Sequence, residues 1–174
     1  MNICLYKMTK ELARLYFREF VADPALFMDN QEYRPYIYSE EKSDSTVERH
    51  QSMGRIYLAV MLNDIPIGEV ILKKIDRNEK HCTLGISLRS DDVKNKGYGT
   101  QAEILTLRYA FNEMGMETVY ADSIRKNTRS QHVLVKAGFC ETHRDEDFVY
   151  YRCDKDQWTD PQNPDSLSCD LIIA

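Results

Sequence analysis

Between Arg55 and Leu88 the chain carries three runs of β-branched and large apolar residues, separated by two short polar turns. No other feature limits the fold as much. Arg55–Leu62 is rich in Ile, Tyr, Val and Leu; Asn63-Asp64 turns the chain and Pro66–Ile75 runs back. Asp76-Arg77-Asn78-Glu79 turns it again, and Cys82–Leu88 is the third run. Connections this short join only antiparallel neighbours. The pattern then changes. Thr100–Met114 sets Ile104, Leu107, Phe111 and Met114 at helical spacing with Gly115 as its C-terminal cap, and Thr118–Ile124 returns to strand character. A strand–helix–strand segment from Cys82 to Ile124 makes its two strands parallel. An antiparallel meander followed by a parallel crossover predicts a mixed central sheet in an α/β (α+β) domain.

The flanks fill in the rest. Thr9 precedes Leu12, Leu15, Tyr16 and Phe20, an amphipathic first helix that Pro24 and Met28-Asp29-Asn30 bring to an end. Tyr33–Tyr38 contains Pro35 and is expected to be irregular. Ser45 with Glu48 forms a capping box, which predicts a short second helix over 46–53. Asn127–Ala137 reads as a helix ended by Gly138. Phe139 onward and Phe148–Cys153 read as two last strands around Arg144–Asp147. Residues 1–153 are then one domain. Residues 154–174 are an acidic linker and a tail, in which Leu167–Ala174 is apolar enough to add to a sheet edge, a neighbouring subunit's included, so a homodimer is allowed for.

A chain of 174 residues fits a single hydrophobic core. Its net charge of −5 argues against a general nucleic-acid binder. The acids gather late: residues 141–170 hold nine acids and three bases, whereas Lys73 to Lys136 holds twelve bases and eight acids, a mildly cationic middle that could receive an anionic ligand. No apolar run reaches the roughly 18 residues that cross a bilayer. Met1–Leu5 shows no basic region followed by a long apolar stretch, so no signal peptide is expected. Five cysteines (Cys4, Cys82, Cys140, Cys153, Cys169) without regular spacing are expected to be reduced thiols of a cytoplasmic protein. Cys140, His143 and Cys153 could be imagined as a metal site, but no paired C-x-x-C supports it, and no metal is expected.

The chemistry is concentrated in Lys94-Asn95-Lys96-Gly97-Tyr98-Gly99-Thr100, between a strand and a helix. Two glycines one residue apart let a ligand approach the backbone closely. A helix start offers unpaired N–H groups and the positive end of its dipole. Together they suit a phosphate or pyrophosphate, with Lys94 and Lys96 adding charge. The P-loop pattern is absent. Gly97–Ala102 does match G-x-G-x-x-A, with Asp122 near the place of a ribose-binding acid. A Rossmann glycine, however, follows its strand directly, whereas eight residues separate Leu88 from Gly97, and antiparallel hairpins precede the loop.

The order of elements, with two motifs, resembles the GNAT (N-acetyltransferase) superfamily over nearly the whole chain. The first motif is Lys94-Asn95-Lys96-Gly97-Tyr98-Gly99, with Lys94 where the family usually has Gln or Arg. The second runs from Asn127-Thr128-Arg129-Ser130 to Lys136-Ala137-Gly138-Phe139. Ile67-Gly68-Glu69-Val70 and Ser130 look most like the ribosomal-protein alanine N-acetyltransferase branch.

The resemblance implies an acetyl-CoA-dependent N-acetyltransferase, acting by direct transfer to the primary amine of a small molecule or peptide. The charge and the lack of a long apolar run leave no nucleic acid or membrane expected as a partner. Acetyl-CoA would lie where two parallel strands splay, here Cys82–Leu88 and Thr118–Ile124, and its pantetheine amides would pair with the freed strand groups. Ile86 and Leu88 would meet the pantetheine, and Lys94 to Thr100 (with Asn95, Lys96, Gly97, Tyr98 and Gly99) the pyrophosphate. Asn127 would bond the arm or thioester region, and Ser130 would lie near the sulfur. Arg125, Lys126, Arg129 and Lys136 are candidates for the 3′-phosphate.

The family's usual proton-transfer groups are replaced. Leu134 stands where many relatives have a Tyr acid, and Thr83 where many have a Glu. Ser130 or water would substitute, with Glu69 a candidate base and His132 and His81 alternatives. A catalytically silent acyl-CoA-binding module is the rival reading. Tyr33, Tyr36, Tyr38, Glu40, Glu41 and Asp44 combine aromatic surface and negative charge, which suits a cationic acceptor.

Overall fold

The computed structural model of the protein describes residues 3–27 and 33–162. The predicted tail strand Leu167–Ala174 lies outside the described residues. Seven strands form one sheet: β1 (Ile3–Lys7), β2 (Ile56–Leu62), β3 (Ile65–Asp76), β4 (His81–Leu88), β5 (Thr118–Ile124), β6 (Cys140–Arg144) and β7 (Phe148–Asp154). Their spatial order is β1-β2-β3-β4-β5-β7-β6. Every neighbouring pair is antiparallel except β4–β5, as the crossover requires.

Among the described residues four α-helices sandwich the sheet: α1 (Lys10–Arg18), α2 (Glu40–Ser52), α3 (Tyr98–Arg108) and α4 (Thr128–Ala137). β2 shows why both faces need cover. Its Tyr57, Ala59 and Met61 pack with Tyr16, Phe17 and Val47 of α1 and α2, while Leu58 and Val60 pack with Ala102 and Leu105 of α3. A third core cluster joins α3 and α4 to β4, β5 and β7 through Leu84, Ile104, Leu107, Val119, Leu134 and Tyr151.

Three expectations need correcting. β1 precedes the first helix, where no strand is expected. Five residues give too little alternation to read, and Ile3 and Leu5 become core only through the register Ile3↔Leu62 to Lys7↔Leu58 with β2. The second helix starts at Glu40, well before 46. Ser39 caps it by accepting from the Lys42 N–H (3.1 Å), and the Ser45 hydroxyl instead donates to the Glu41 carbonyl inside the helix (2.7 Å). The third correction concerns the thiols: Cys82, Cys140 and Cys153 are free, but Cys4 is disulfide-bonded, so the set is not wholly reduced. The predicted helix over Thr100–Met114 regularises earlier, at Tyr98, and after Arg108 widens into a π-type turn over Tyr109–Glu113.

Past β7 the chain folds back on the domain. Trp158 packs on Phe111 (centroids 5.5 Å apart) and donates its indole N–H to the Ala137 carbonyl at 2.9 Å, while Arg108 pairs with Asp160. Among the described residues no helix is long and apolar enough to cross a membrane, and no group of three or more His, Cys, Asp or Glu could hold a metal ion.

Candidate functional site

The parallel pairing of β4 with β5 runs from His81↔Thr118 to Leu84↔Ala121 and stops. Both strands continue: β4 stays paired with β3 as far as Leu88↔Gly68, and β5 with β7 as far as Ile124↔Phe148. Gly85–Leu88 and Asp122–Ile124 therefore diverge, each held by its outer neighbour. The Arg89 N–H donates to the Ile67 carbonyl (2.9 Å), toward β3. Strand alternation then turns the backbone groups of Leu88 and Ile86 toward the opening. Two rows of main-chain donors and acceptors face a gap.

The gap opens into a cleft of about 340 Å³ between β4, α3 and α4. Ile86, Ser87 and Leu88 form one wall; Lys94, Asn95, Gly97, Gly99 and Thr100 lie at one end, and Asn127, Ser130 and Val133 line the α4 side. At the α3 start Gly97 holds φ +83° and Asn95 holds φ +60°, and no side chain caps the helix. The first amides of α3 are thus free to meet an anion. Lys96 and Tyr98 belong to the same loop but do not line the cleft; Lys96 is exposed and the Tyr98 ring packs toward the core under β1 and β2. The Lys94 ammonium is engaged, 2.9 Å from Asp23 and 3.2 Å from Asp91. Arg129 reaches the same two carboxylates (3.5 and 3.2 Å). Lys94 and Arg129 hold the Asp91 carboxyl below its ordinary range. This tie also fixes the segment before the Pro24–Leu26 turn to the cleft, a connection that nothing local in the sequence announces.

Asn127 is the N-cap of α4, its side-chain oxygen accepting the Ser130 N–H at 3.2 Å. Lys136 and His132 line the cleft, whereas Arg125 donates to the Asp145 carbonyl at 3.2 Å on the β6–β7 turn. His81 and Thr83 sit on the paired part of β4, away from the splay. Leu134 is buried in the core.

Glu69 lies on the opposite face of the sheet, yet pairs in register with Ser87 of the cleft. It forms the floor of a second hollow, about 810 Å³, walled by Phe17, Tyr36, Glu41, Arg49 and His50. Burial pushes its carboxyl above the ordinary carboxylate value, while the Tyr57 hydroxyl donating to it and the charge of Arg49 pull the other way. The buried Tyr16 hydroxyl stands near Ser87, outside hydrogen-bond geometry, with burial and the Glu69 charge raising its pKa well above the ordinary value. Sequence reading missed both tyrosines because they read simply as apolar positions of α1 and β2. Of the residues expected to meet an acceptor, Tyr36 and Glu41 line this hollow. Asp44 is instead clamped by Arg14 (2.6 and 2.8 Å), Glu40 lies 3.8 Å from the same guanidinium, and Tyr33 packs on Phe27.

A splayed parallel pair, an uncapped helix start and a carboxylate-floored hollow behind them can hold an extended phosphorylated carrier against an amine. No curated protein sequence matches the chain. A Bacillus anthracis acetyltransferase of the GNAT family has a similar structure, 20% identical over 90% of this chain and 96% of that one, with a TM-score of 0.70. Campylobacter jejuni N-acetyltransferase PseH, solved with acetyl coenzyme A, is 22% identical over 66% of this chain and 79% of its own, with a TM-score of 0.57. A spermidine N-acetyltransferase SpeG chimera from Vibrio cholerae and hSSAT is 16% identical, covering 90% and 97%, with a TM-score of 0.73. At these identities the likeness is one of fold. The family model of the acetyltransferase (GNAT) domain matches residues 2–140, most of the chain, and the chain belongs to the GNAT acetyltransferases.

Proposed function

We propose that the protein moves an acetyl group from acetyl-CoA to a primary amine, directly and within a ternary complex. The parting of β4 from β5 beyond Leu84 and Ala121, beside the uncapped start of α3, carries this reading. When bound, acetyl-CoA supplies a thioester, an acyl group already activated toward amines. The residues present fit it. The gap-facing groups of Ile86 and Leu88 can pair with the arm's amides as an added strand does. The amides from Lys94 to Thr100 can take the diphosphate, with Lys96 adding charge from outside.

Glu69 acts as the general base. Its burial holds the carboxyl above the ordinary range, which brings it nearer the value at which a base works well at neutral pH. An N–H on the open edge of β4 polarises the acyl carbonyl. Ser130, fixed by Asn127, stands in the cleft wall as the donor to the departing sulfur. Replacing Glu69 by Gln lowers kcat about 10²–10⁴-fold and leaves CoA affinity unchanged. An unchanged kcat would remove Glu69 from the mechanism.

The motif likeness of Ile67–Val70 and Ser130 supports a place near the ribosomal-protein alanine N-acetyltransferases, which makes a peptide N-terminus the first acceptor to try. The fold likeness to the SpeG chimera makes a polyamine the second. The same reading sets the enzyme in the cytoplasm, with its catalytic domain over residues 1–153 and a homodimer as one assembly. The test is thiol release from acetyl-CoA across a panel of peptides, polyamines, aminoglycosides and amino acids. Core burial of Leu134, where a Tyr acid would stand, favours a second reading as a silent acyl-CoA binder. Tight CoA binding without amine-dependent thiol would establish that one.

A further inference from the structure

Six consecutive residues of α3, Ala102 to Leu107, are buried, and one of them is an acid. Glu103 is 0% exposed, and neither carboxyl oxygen has a hydrogen-bond partner among the described residues. Its side chain nevertheless lines the cleft, sharing the wall with Ile86, Ser130 and Val133. It lies one helical turn beyond Gly99 and Thr100, so it stands past the anion-binding amides, toward the part of the cleft that an extended arm would occupy.

Among the described residues no cation answers this carboxyl. Lys94 and Arg129, which line the same cleft, are held by Asp23 and Asp91, and His132 and Lys136 are exposed. Burial alone pushes the group well above its ordinary value of 4.5. An uncharged carboxylic acid has one O–H to give and lone pairs to accept with. Buried polar groups are normally paired, and an unpaired one facing a ligand cleft calls for a partner in the ligand.

We propose that Glu103 is a binding residue for the carrier's arm: its carboxyl donates a hydrogen bond to an amide carbonyl of the pantetheine, and its second oxygen accepts from an amide N–H or hydroxyl of the same arm. The proposal rests on the acyl-CoA reading of the cleft and deepens it, since the loop and the strand edges account for the diphosphate and the main-chain pairing without Glu103.

Calorimetric titration of the full chain tests it, with CoA and with 3′-phosphoadenosine diphosphate, which lacks the arm. Glu103→Leu weakens CoA binding by about 5- to 30-fold, the loss of one or two hydrogen bonds left unmet. The same variant raises the melting temperature, because an unpaired buried carboxyl is gone, and binds the armless nucleotide as the wild type does. Glu103→Gln, which keeps a donor and an acceptor, stays within about threefold of wild type for CoA. Glu103→Met repeats the measurement with another apolar side chain should the leucine variant not fold. If the apolar variants bind CoA as tightly as wild type, or lose the armless nucleotide equally, Glu103 is no arm-binding residue. If the wild type itself binds no CoA, the cleft reading falls and takes this inference with it.

Discussion

Glu69 and Glu103 show how one residue type is given two uses by its surroundings. Glu69 has a tyrosine hydroxyl and an arginine field beside it; Glu103 has neither and is pushed further from its ordinary value. Both are raised, so between the ordinary value of 4.5 and their native values the folded chain binds more protons than the unfolded one. Their contribution is fully present below the ordinary value and is lost as pH rises through the native ones. Stability measured by urea unfolding therefore falls with rising pH across this window, and Glu103→Gln flattens the slope; an identical slope in the variant would contradict the burial argument. In sequence, Glu69 could be named as a candidate base, though its burial could not be read. The signal for Glu103 was present too: an acid inside the apolar stripe that also carries Ile104 and Leu107. A stripe shows that a face is buried, but not which gap the face borders.

At the level of elements, the meander, the crossover and the glycine turn before α3 were legible because their cues are local: short turns, period-two runs and glycines before a helix. The limits of β5 were read directly as Thr118–Ile124. β1 and the start of α2 were not, since a five-residue strand has no meaning without its partner, and two serines six residues apart compete as caps. Gly68 gives the clearest element-scale test. A Cβ there would lie 2.7 Å from the Leu88 side chain and 2.8 Å from the Ser87 carbonyl, so β3 and β4 close up only around a glycine. Gly68→Ala costs about 1–3 kcal/mol by forcing that end of β4 outward. Because Ser87 and Leu88 wall the cleft, it also weakens CoA binding. Retained stability with wild-type affinity would show that the strand end yields without consequence.

Across the whole molecule, the sheet is held from both faces and then clasped by the segment after β7. Trp158 covers Gly138, where a Cβ would come within 2.6 Å of the indole, and spans from the π-type turn to the end of α4. Trp158→Ala removes a half-buried ring and its hydrogen bond, and lowers stability by about 2–3 kcal/mol in chemical unfolding. A change below about 0.5 kcal/mol, the size of an ordinary surface substitution, would show that the clasp is decorative. The linker composition of 154–166 did not reveal this docking, since one tryptophan among polar residues has no period. What the chain's own order of residues determined was most of the succession of strands and helices, the glycine turn before α3 and the family, because turn chemistry, periodicity and motif spacing act over a few residues at a time. Only the tertiary structure decided where β4 and β5 part, that Asp23 ties Lys94 and Arg129, and that Glu69 and Glu103 stand on opposite sides of one sheet. These depend on register and on contacts between residues far apart in the chain, which sequence spacing does not encode.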